Sequence, residues 1–600
     1  MNRSRLFFPS ALLVLAAPIQ AQDDNLQPQI VVTASRVAQT IDATMADVSI
    51  ITRDAIDASA SRDLVDVLRL QAGVDIARTG GPGGQTSVFL RGTNNNHVLV
   101  LIDGIRVAAL GTGAFTWETL PLDTIERIEI VRGPRASYWG SDAIGGVVQI
   151  FTRALEGPRV SLGYGTHGDR NANAGFGRRG ERGGFSVQAG ARDYDGFPSQ
   201  NENGFAFEDK DHGLDNQHLT ARGDLRFVTQ KLSANLLRSE GTAEFSGGES
   251  DFVQQAIGVA LEGALGERWQ HRLSAGSARE DYSTPAFFSA FDSRRDTLAW
   301  QNDVQLGERQ RLILGIDRLD EEGENRDTFS GTAVYREQRD NTGLFAGWHA
   351  GFVAFDSELS VRHDDNSVFG GNTTGSAAIG WRFAAPWRAY ASHGEGFRGP
   401  TLNEQYSPGF GGLFAGNSEL QPEASRSSEL GIEYAPVDGQ RFKTNLYETR
   451  VRNLISFSGV DFQAVNVARA RIKGAELDYQ GSFSGWLVTA TLTWQDPRNE
   501  DTNSALLRRP KQKFTSMIER RFSDTIRAGI ELVHAGKRND VGGIELASYT
   551  LINLRGTWSP VPDWRIAARL ENITDRDHEL AFGYNTPGRT GMIDVIWAPR

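Results

Sequence analysis

The stretch WLVTATLTW, residues 486–494, alternates without a break. Residues two apart in a strand share a face, so Trp486, Val488, Ala490, Leu492 and Trp494 line one side and Leu487, Thr489, Thr491 and Thr493 the other. The two tryptophans lie eight residues apart, roughly 26 Å at about 3.3 Å per residue. After tilting, that places one ring at each edge of an apolar band about 25 Å tall, as a transmembrane barrel with two aromatic girdles requires. Residues 564–570, WRIAARL, alternate in the same way, with Arg565 and Arg569 on the second face. Residues 185–192, FSVQAGAR, repeat the pattern and end on Arg192. Arginine on an inward face suits a wet lumen and not the dry core of a sandwich. A large secreted β-solenoid or propeller is the alternative, and it lacks the fixed repeat period it would need.

Outward from these strands the chain divides in two. From Val160 to the C-terminus, alternating segments and polar loops run for about 440 residues. Twenty-two strands, the number known for plugged transporters, would leave about 20 residues for each strand and loop. Between Ser35 and Thr152 the text is different. Asp54 to Leu70 reads as one helix, with Ile56, Leu64, Val67 and Leu68 at helical spacing. SVFLRG, HVLVLIDG and IERIEIVRG follow, short strands whose continuous apolar runs mean burial on both faces. A small globular domain ahead of a large barrel is expected to be its plug. Arg91, Arg132 and Arg135 within it need partners, since an unpaired buried charge is costly; Glu126 and Glu129, or acids of the barrel wall, are the candidates. Gly133, Gly140, Gly145 and Gly146 mark tight turns, and no phosphate-loop pattern occurs, so energy must come from a partner.

The N-terminus carries an export pattern. Arg3 and Arg5 precede an apolar run from Leu6 to Ala17, and Ile19-Gln20-Ala21 offers a cleavage site before Gln22. The expected organisation is a signal peptide at 1–21, a polar tail at 22–40, a plug at 41–155 and a membrane β-barrel at 156–600. Cysteine is absent, which rules out disulfides and thiolate chemistry. The formal net charge of −12 argues against a nucleic-acid partner, which would call for a basic face. Beyond the leader no apolar run is long enough for a helical span. The ten histidines are scattered, and neither His-Glu-x-x-His nor Gly-x-Ser-x-Gly occurs, so nothing points to an enzyme or a redox cofactor.

One short stretch has no local partner: Ile30-Val31-Val32-Thr33-Ala34, five β-prone residues in the polar tail. Together with FLRGTNNNHVLVLIDGIRV (89–107) and IERIEIVRGPRASYWGSDAIGGVVQI (125–150), it resembles the box and plug of TonB-dependent outer-membrane receptors. RHDDNSVFG, YASHGEGFRGPTLNEQY, ELQPEASRSSELG, RARIKGAELD, ALLRRPKQ and LENITDRDHELAFGYNTPGR extend the resemblance through the barrel, toward the cobalamin-receptor branch. The resemblance implies that residues 30–34 add as a strand to the periplasmic protein TonB, backbone bonds giving affinity. It implies cobalamin contacts at Ser87, Asn94, Thr112, Gly113 and Arg508, with Gln85 and Ser289 as weaker matches.

It also implies calcium-ordered outer loops, with Asp195, Asp209 and Asp211 as ligands and Asp251 beside them; clustered carboxylates suit an oxygen-only site. Two departures stand out. A loop carrying Tyr-Asp in the family reads Phe245-Ser246 here, and the stretch matching a barrel tyrosine contact reads AGKRNDVGG. The expected protein is a monomeric outer-membrane transporter in contact with lipid, TonB and the barrel assembly machinery. Its ligand is cobalamin or, as the alternative, a siderophore or other metal chelate. A non-transporting adhesion protein and a soluble secreted hydrolase are the readings from other classes. The final strand alternates through Ile593, Val595 and Trp597, but Ala598-Pro599-Arg600 follows where such barrels usually end on an aromatic residue.

Overall fold

A computed structural model describes residues 30–409, 413–458 and 462–599. The expected signal peptide, residues 1–21, and the tail up to residue 29 lie outside these residues. Twenty-two antiparallel strands close into a barrel. The first strand, Gly157–Gly165, pairs with the last, Thr590–Trp597, from Val160↔Trp597 to Gly165↔Met592. No strand edge is left open, which is the condition for spanning lipid. No helix among the described residues is long and apolar enough to cross a membrane.

The threonine face of residues 486–494 points inward. Thr493 Oγ1 accepts the Gly73 N–H at 2.9 Å, and Thr491 meets Thr515, whose hydroxyl donates to Leu70 O at 2.8 Å. Leu492 and Trp494 stand exposed on the outer wall. Arg565 and Arg569 also turn inward, to Asp57 at 2.9 Å and Glu531 at 2.6 Å.

Two-residue turns such as 181–182, 308–309 and 484–485 join strands at one rim, while segments such as 198–211 and 572–589 join them at the other. Short turns mark the periplasmic end of such barrels and long loops the extracellular end. Along the short-turn rim runs a chain of rings: Trp381 to Phe383 at 5.2 Å, Trp387 to Tyr434 at 4.2 Å, Phe442 to Tyr479 at 4.6 Å. This is one aromatic girdle. Strand length departs from the 9 to 11 residues a bilayer needs: Gln463–Phe483 has 21 residues and Thr332–Gly351 has 20. The excess rises above the apolar band, where outward pairs such as Arg318–Asp320 and Arg336–Glu322 replace aliphatic side chains.

Inside the barrel sits the plug. Its sheet orders the strands Val48–Thr52, Ile125–Arg132, Gly146–Thr152, Val98–Ile102 and Ile105–Arg106. Val98–Ile102 is buried at every position, as its unbroken apolar run requires. The helix expected over 54–70 is two helices, Arg53–Ser59 and Leu64–Leu68. Ala60 ends the first in the left-handed region, φ 52°, and Asp63 caps the second by accepting the Val65 N–H. The break frees Arg62 to reach Asp169 at 3.1 Å and Asp594 at 3.2 Å on the barrel. Tertiary ion pairing overrides helical continuity here.

Candidate functional site

Residues 30–34 are folded back onto the plug. Ile30–Val31 pairs with Gln39–Thr40, and Val31 and Ala34 are buried against Ala46, Val48 and Val131. One carboxylate oxygen gathers the rest of the segment: Glu129 Oε2 accepts the Val32 N–H at 3.0 Å, the Thr33 N–H at 3.0 Å and the Thr33 hydroxyl at 2.6 Å. Trp139 Nε1 donates to Thr33 O at 2.8 Å. Arg36 then lies between the rings of Trp139 and Phe345, at 4.3 and 4.6 Å, with its guanidinium on Asp317 of the wall at 3.0 Å. The segment therefore has a partner within the molecule, and the Val32 and Thr33 N–H donors are occupied.

The buried arginines find acids of the barrel wall, one of the two expected sources, rather than Glu126 and Glu129 of the plug. Arg91 meets Glu476 at 2.7 Å and Glu429 at 3.0 Å on the barrel wall, and Asp47 of the plug at 2.9 Å. Arg132 shares Asp47, and Arg135 approaches Glu358 at 3.9 Å. Glu129 pairs instead with Arg127 and holds residues 32–33. Burial opposes ionisation of Asp47, but Arg132, Lys443 and Arg91 outweigh it and hold the carboxyl well below the usual range.

At the extracellular face the structure brings some of the candidate ligand residues together. Asn94 opens the turn Asn95–His97, and a Cβ on Gly113 would stand 3.3 Å from Asn96 and 2.7 Å from Thr401, so the two plug loops adjoin. Gly113 has φ 71°, which a side chain would strain. Beneath them His97 meets Glu423 at 2.6 Å, and Arg398 spans Glu423 and Glu404. Thr112 and Gln85 are exposed, and Ser87 is half-buried in the strand Thr86–Leu90. Ser289 starts the strand Ser289–Gly307, opposite Thr284 and Asp327. Arg508 pairs with neither Asp496 nor Glu500. It precedes the strand Gln512–Arg521 in a loop, where Nε donates to buried Asp540 at 2.8 Å. The next residue, Arg509, reaches Asn94 Oδ1 at 2.7 Å and stacks on Phe89 at 4.0 Å. Its buried place beside the Asn94 turn was not visible in ALLRRPKQ.

The four acids named for calcium do not converge. Asp195 faces Arg170 at 3.2 Å, Asp209 and Asp211 are exposed, and Asp251 accepts the Thr242 hydroxyl at 2.7 Å on an exposed strand position. Among the described residues no three acidic or imidazole groups are placed to hold a metal. The departure at Phe245-Ser246 has its own packing: Phe245 lies 5.9 Å from Phe287, and Ser246 Oγ is 3.1 Å from Ser199 Oγ.

Two family models match the chain in this order: the TonB-dependent receptor plug domain over residues 40–147, and the TonB-dependent receptor-like β-barrel over residues 157–573. This chain belongs to the TonB-dependent receptor family. It is an outer-membrane protein, as are other receptors of this barrel type. The vitamin B12 transporter BtuB of Vibrio cholerae serotype O1 is 30% identical over 624 residues, covering 99% of each chain. Among solved structures, a point mutant of the ferric enterobactin receptor PfeA of Pseudomonas aeruginosa superimposes with a TM-score of 0.81 at 18% identity, covering 95% of this chain and 100% of that one. The siderophore receptor PirA of Acinetobacter baumannii gives 0.78 at 16%, covering 92% and 98%. At such identities these structures establish the fold of the receptor and nothing of its ligand. The family places TonB as its energy-coupling partner.

Proposed function

We propose that this receptor imports cobalamin or a related corrinoid across the outer membrane, with residues 30–34 as the segment that TonB engages. The observation that carries the ligand is the 30% identity to a vitamin B12 transporter along 99% of both chains. The apex formed by the Asn94 turn and the Thr112–Gly113 loop supports it, since amides, hydroxyls and backbone donors suit a large amide-rich ligand. A siderophore or other metal chelate is the second reading, favoured only by the solved relatives of the same fold.

For residues 30–34 the support is their position ahead of the plug and their hold on one carboxylate. An added strand needs the Val32 N–H as a donor, and proline removes it. Val32→Pro should therefore reduce cyanocobalamin uptake to background while leaving surface binding unchanged. Normal uptake by the variant would remove the assignment. Calcium is proposed only for a rearranged state in which the loop 198–211 brings Asp209 and Asp211 onto an Asp195 released from Arg170. Equal cobalamin affinity with and without chelator would dismiss it.

A further inference from the structure

The outer wall of the barrel carries a row of like charges. On the adjacent strands Glu423–Tyr434, Gln440–Ser458, Gln463–Phe483 and Trp486–Asn499, Arg426 stands opposite Arg450, Arg450 opposite Arg471, and Arg471 opposite Arg498. Directly opposed residues lie about 4.5–5.5 Å apart at Cα, and like charges so placed destabilise a sheet. The chain as a whole has a net charge of −12. Four aligned arginines are a local departure from it.

The row faces the lipid side. Leu430, Leu446 and Trp494, on the same face and one step below each ladder position's polar neighbour, are exposed on the outer wall. Arg450 stands eight residues above Phe442, and Arg471 eight above Tyr479, two rings of the periplasmic girdle. That is roughly 26 Å along the strand at about 3.3 Å per residue, or about 20 Å in height at a tilt of about 40°. Arg498 lies twelve residues above Trp486. The tilted row therefore climbs across the upper edge of an apolar band about 25 Å tall.

Nearby acids do not cancel the row. Arg426 rests on Glu395 at 3.1 Å. Glu448 alone receives Arg450 at 2.8 Å, Arg471 at 3.1 Å and Lys473 at 3.8 Å. Asp496 receives Arg498 at 2.7 Å and Lys511 at 3.4 Å. Six cations thus share three carboxylates. The strands Ser289–Gly307, Gln310–Asp327 and Thr332–Gly351 give the contrast on another part of the wall. There Arg294 has Asp296, Arg318 has Asp320 and Asp340, and Arg336 has Glu322 and Glu324. That wall has acids to spare.

We propose that the arginine row is a docking site for the phosphate groups of a glycolipid in the outer leaflet. Charge and depth together select this occupant. The phosphates of such a lipid sit just above its acyl chains, where the row crosses the edge of the apolar band. A guanidinium fork matches phosphate oxygens in bidentate pairs. Forks on neighbouring strands, about 5 Å apart, share one phosphate, and the bound anion relieves the repulsion along the row. A soluble acidic protein would reach only its upper end, because Arg426 lies at the depth of the acyl chains. The site is on the lipid side of the wall, apart from the plug, and does not depend on which ligand the receptor carries.

The full chain, purified in a neutral detergent, should be titrated with lipid A, a bisphosphorylated glycolipid, and with the same lipid after enzymatic removal of its phosphates. Native mass spectrometry reads the bound fraction. The parent should bind lipid A at least tenfold more tightly than the dephosphorylated form. Arg450→Gln with Arg471→Gln and Arg498→Gln should weaken lipid A binding at least tenfold. Arg294→Gln with Arg318→Gln and Arg336→Gln, on the contrasting wall, should leave it within twofold. All six positions are on the outer face, and both triple variants should keep the heat-modifiable gel mobility of a folded barrel. Equal binding of the phosphorylated and dephosphorylated lipids, or equal loss in the two triple variants, overturns the proposal. So does phosphatidylglycerol binding the parent as tightly as lipid A, since the row would then read charge alone.

Discussion

Replacing Glu129 by glutamine tests what holds residues 30–34 against the plug. The carboxylate oxygen Oε2 accepts three donors, two backbone N–H groups at 3.0 Å and the Thr33 hydroxyl at 2.6 Å. Hydrogen bonds to a charged acceptor are worth about 1.5–3 kcal/mol against about 0.5–1.5 for neutral ones, so the substitution removes roughly 1 kcal/mol from each. Relief of the desolvated charge offsets part of that loss. A net weakening of about 2 kcal/mol is the result, near 30-fold in the docking equilibrium. A segment docked roughly 99% of the time would then be free for about a quarter of it. Ile30 is half exposed, so a spin label on Ile30→Cys reads the two states without disturbing the contacts. Glu129→Gln should show a growing mobile component without substrate, and stronger capture by the periplasmic domain of TonB. An immobilised spectrum identical to the parent would refute the role of the carboxylate.

Arg91→Met would leave Glu429, Glu476 and Asp47 without their shared cation; losing one partner of a buried pair costs about 3–5 kcal/mol, and plug proteolysis in urea should begin at distinctly lower denaturant. Glu118 is pushed up to about 8 from 4.5, chiefly by burial, so the folded plug binds its proton more tightly than the unfolded chain does. That contribution to stability is present below about 4.5 and is lost as pH rises through 8; Glu118→Gln should flatten this decline in pH-dependent melting of the plug. Arg508→Ala should weaken cobalamin binding roughly 10- to 150-fold if the guanidinium donates to the ligand, at 1.4 kcal/mol per tenfold. A change under about fivefold would mean that Arg508 serves only its bridge to Asp540.

The barrel was legible because strand alternation is local. Thr491 and Thr493 declare the lumen, Leu492 and Trp494 the lipid, and no distant residue is needed to read either. The same holds for the strand Val98–Ile102, whose apolar run announced burial on both faces. What escaped was set by residues far away in the chain. The acids that neutralise Arg91 lie 338 and 385 positions downstream, and Glu129 lies 97 residues beyond the Val32 it holds. A glutamate among isoleucines in IERIEIVRG signalled a buried partner without saying which. The helix broke at Ala60 because Arg62 is required at the wall, a demand that helical spacing cannot encode. Acid-rich loop text names carboxylates but not their neighbours, and the pairing of Asp195 with Arg170 lies beyond it.

Cells expressing the receptor with TonB, and otherwise unable to take up cobalamin, should be given radiolabelled cyanocobalamin with and without an uncoupler of the inner-membrane proton gradient. Saturable surface binding in both conditions is expected, with accumulation only in energised cells and none after deletion of residues 30–34. No binding of cyanocobalamin by cells that accumulate a ferric siderophore through this receptor would contradict the assignment.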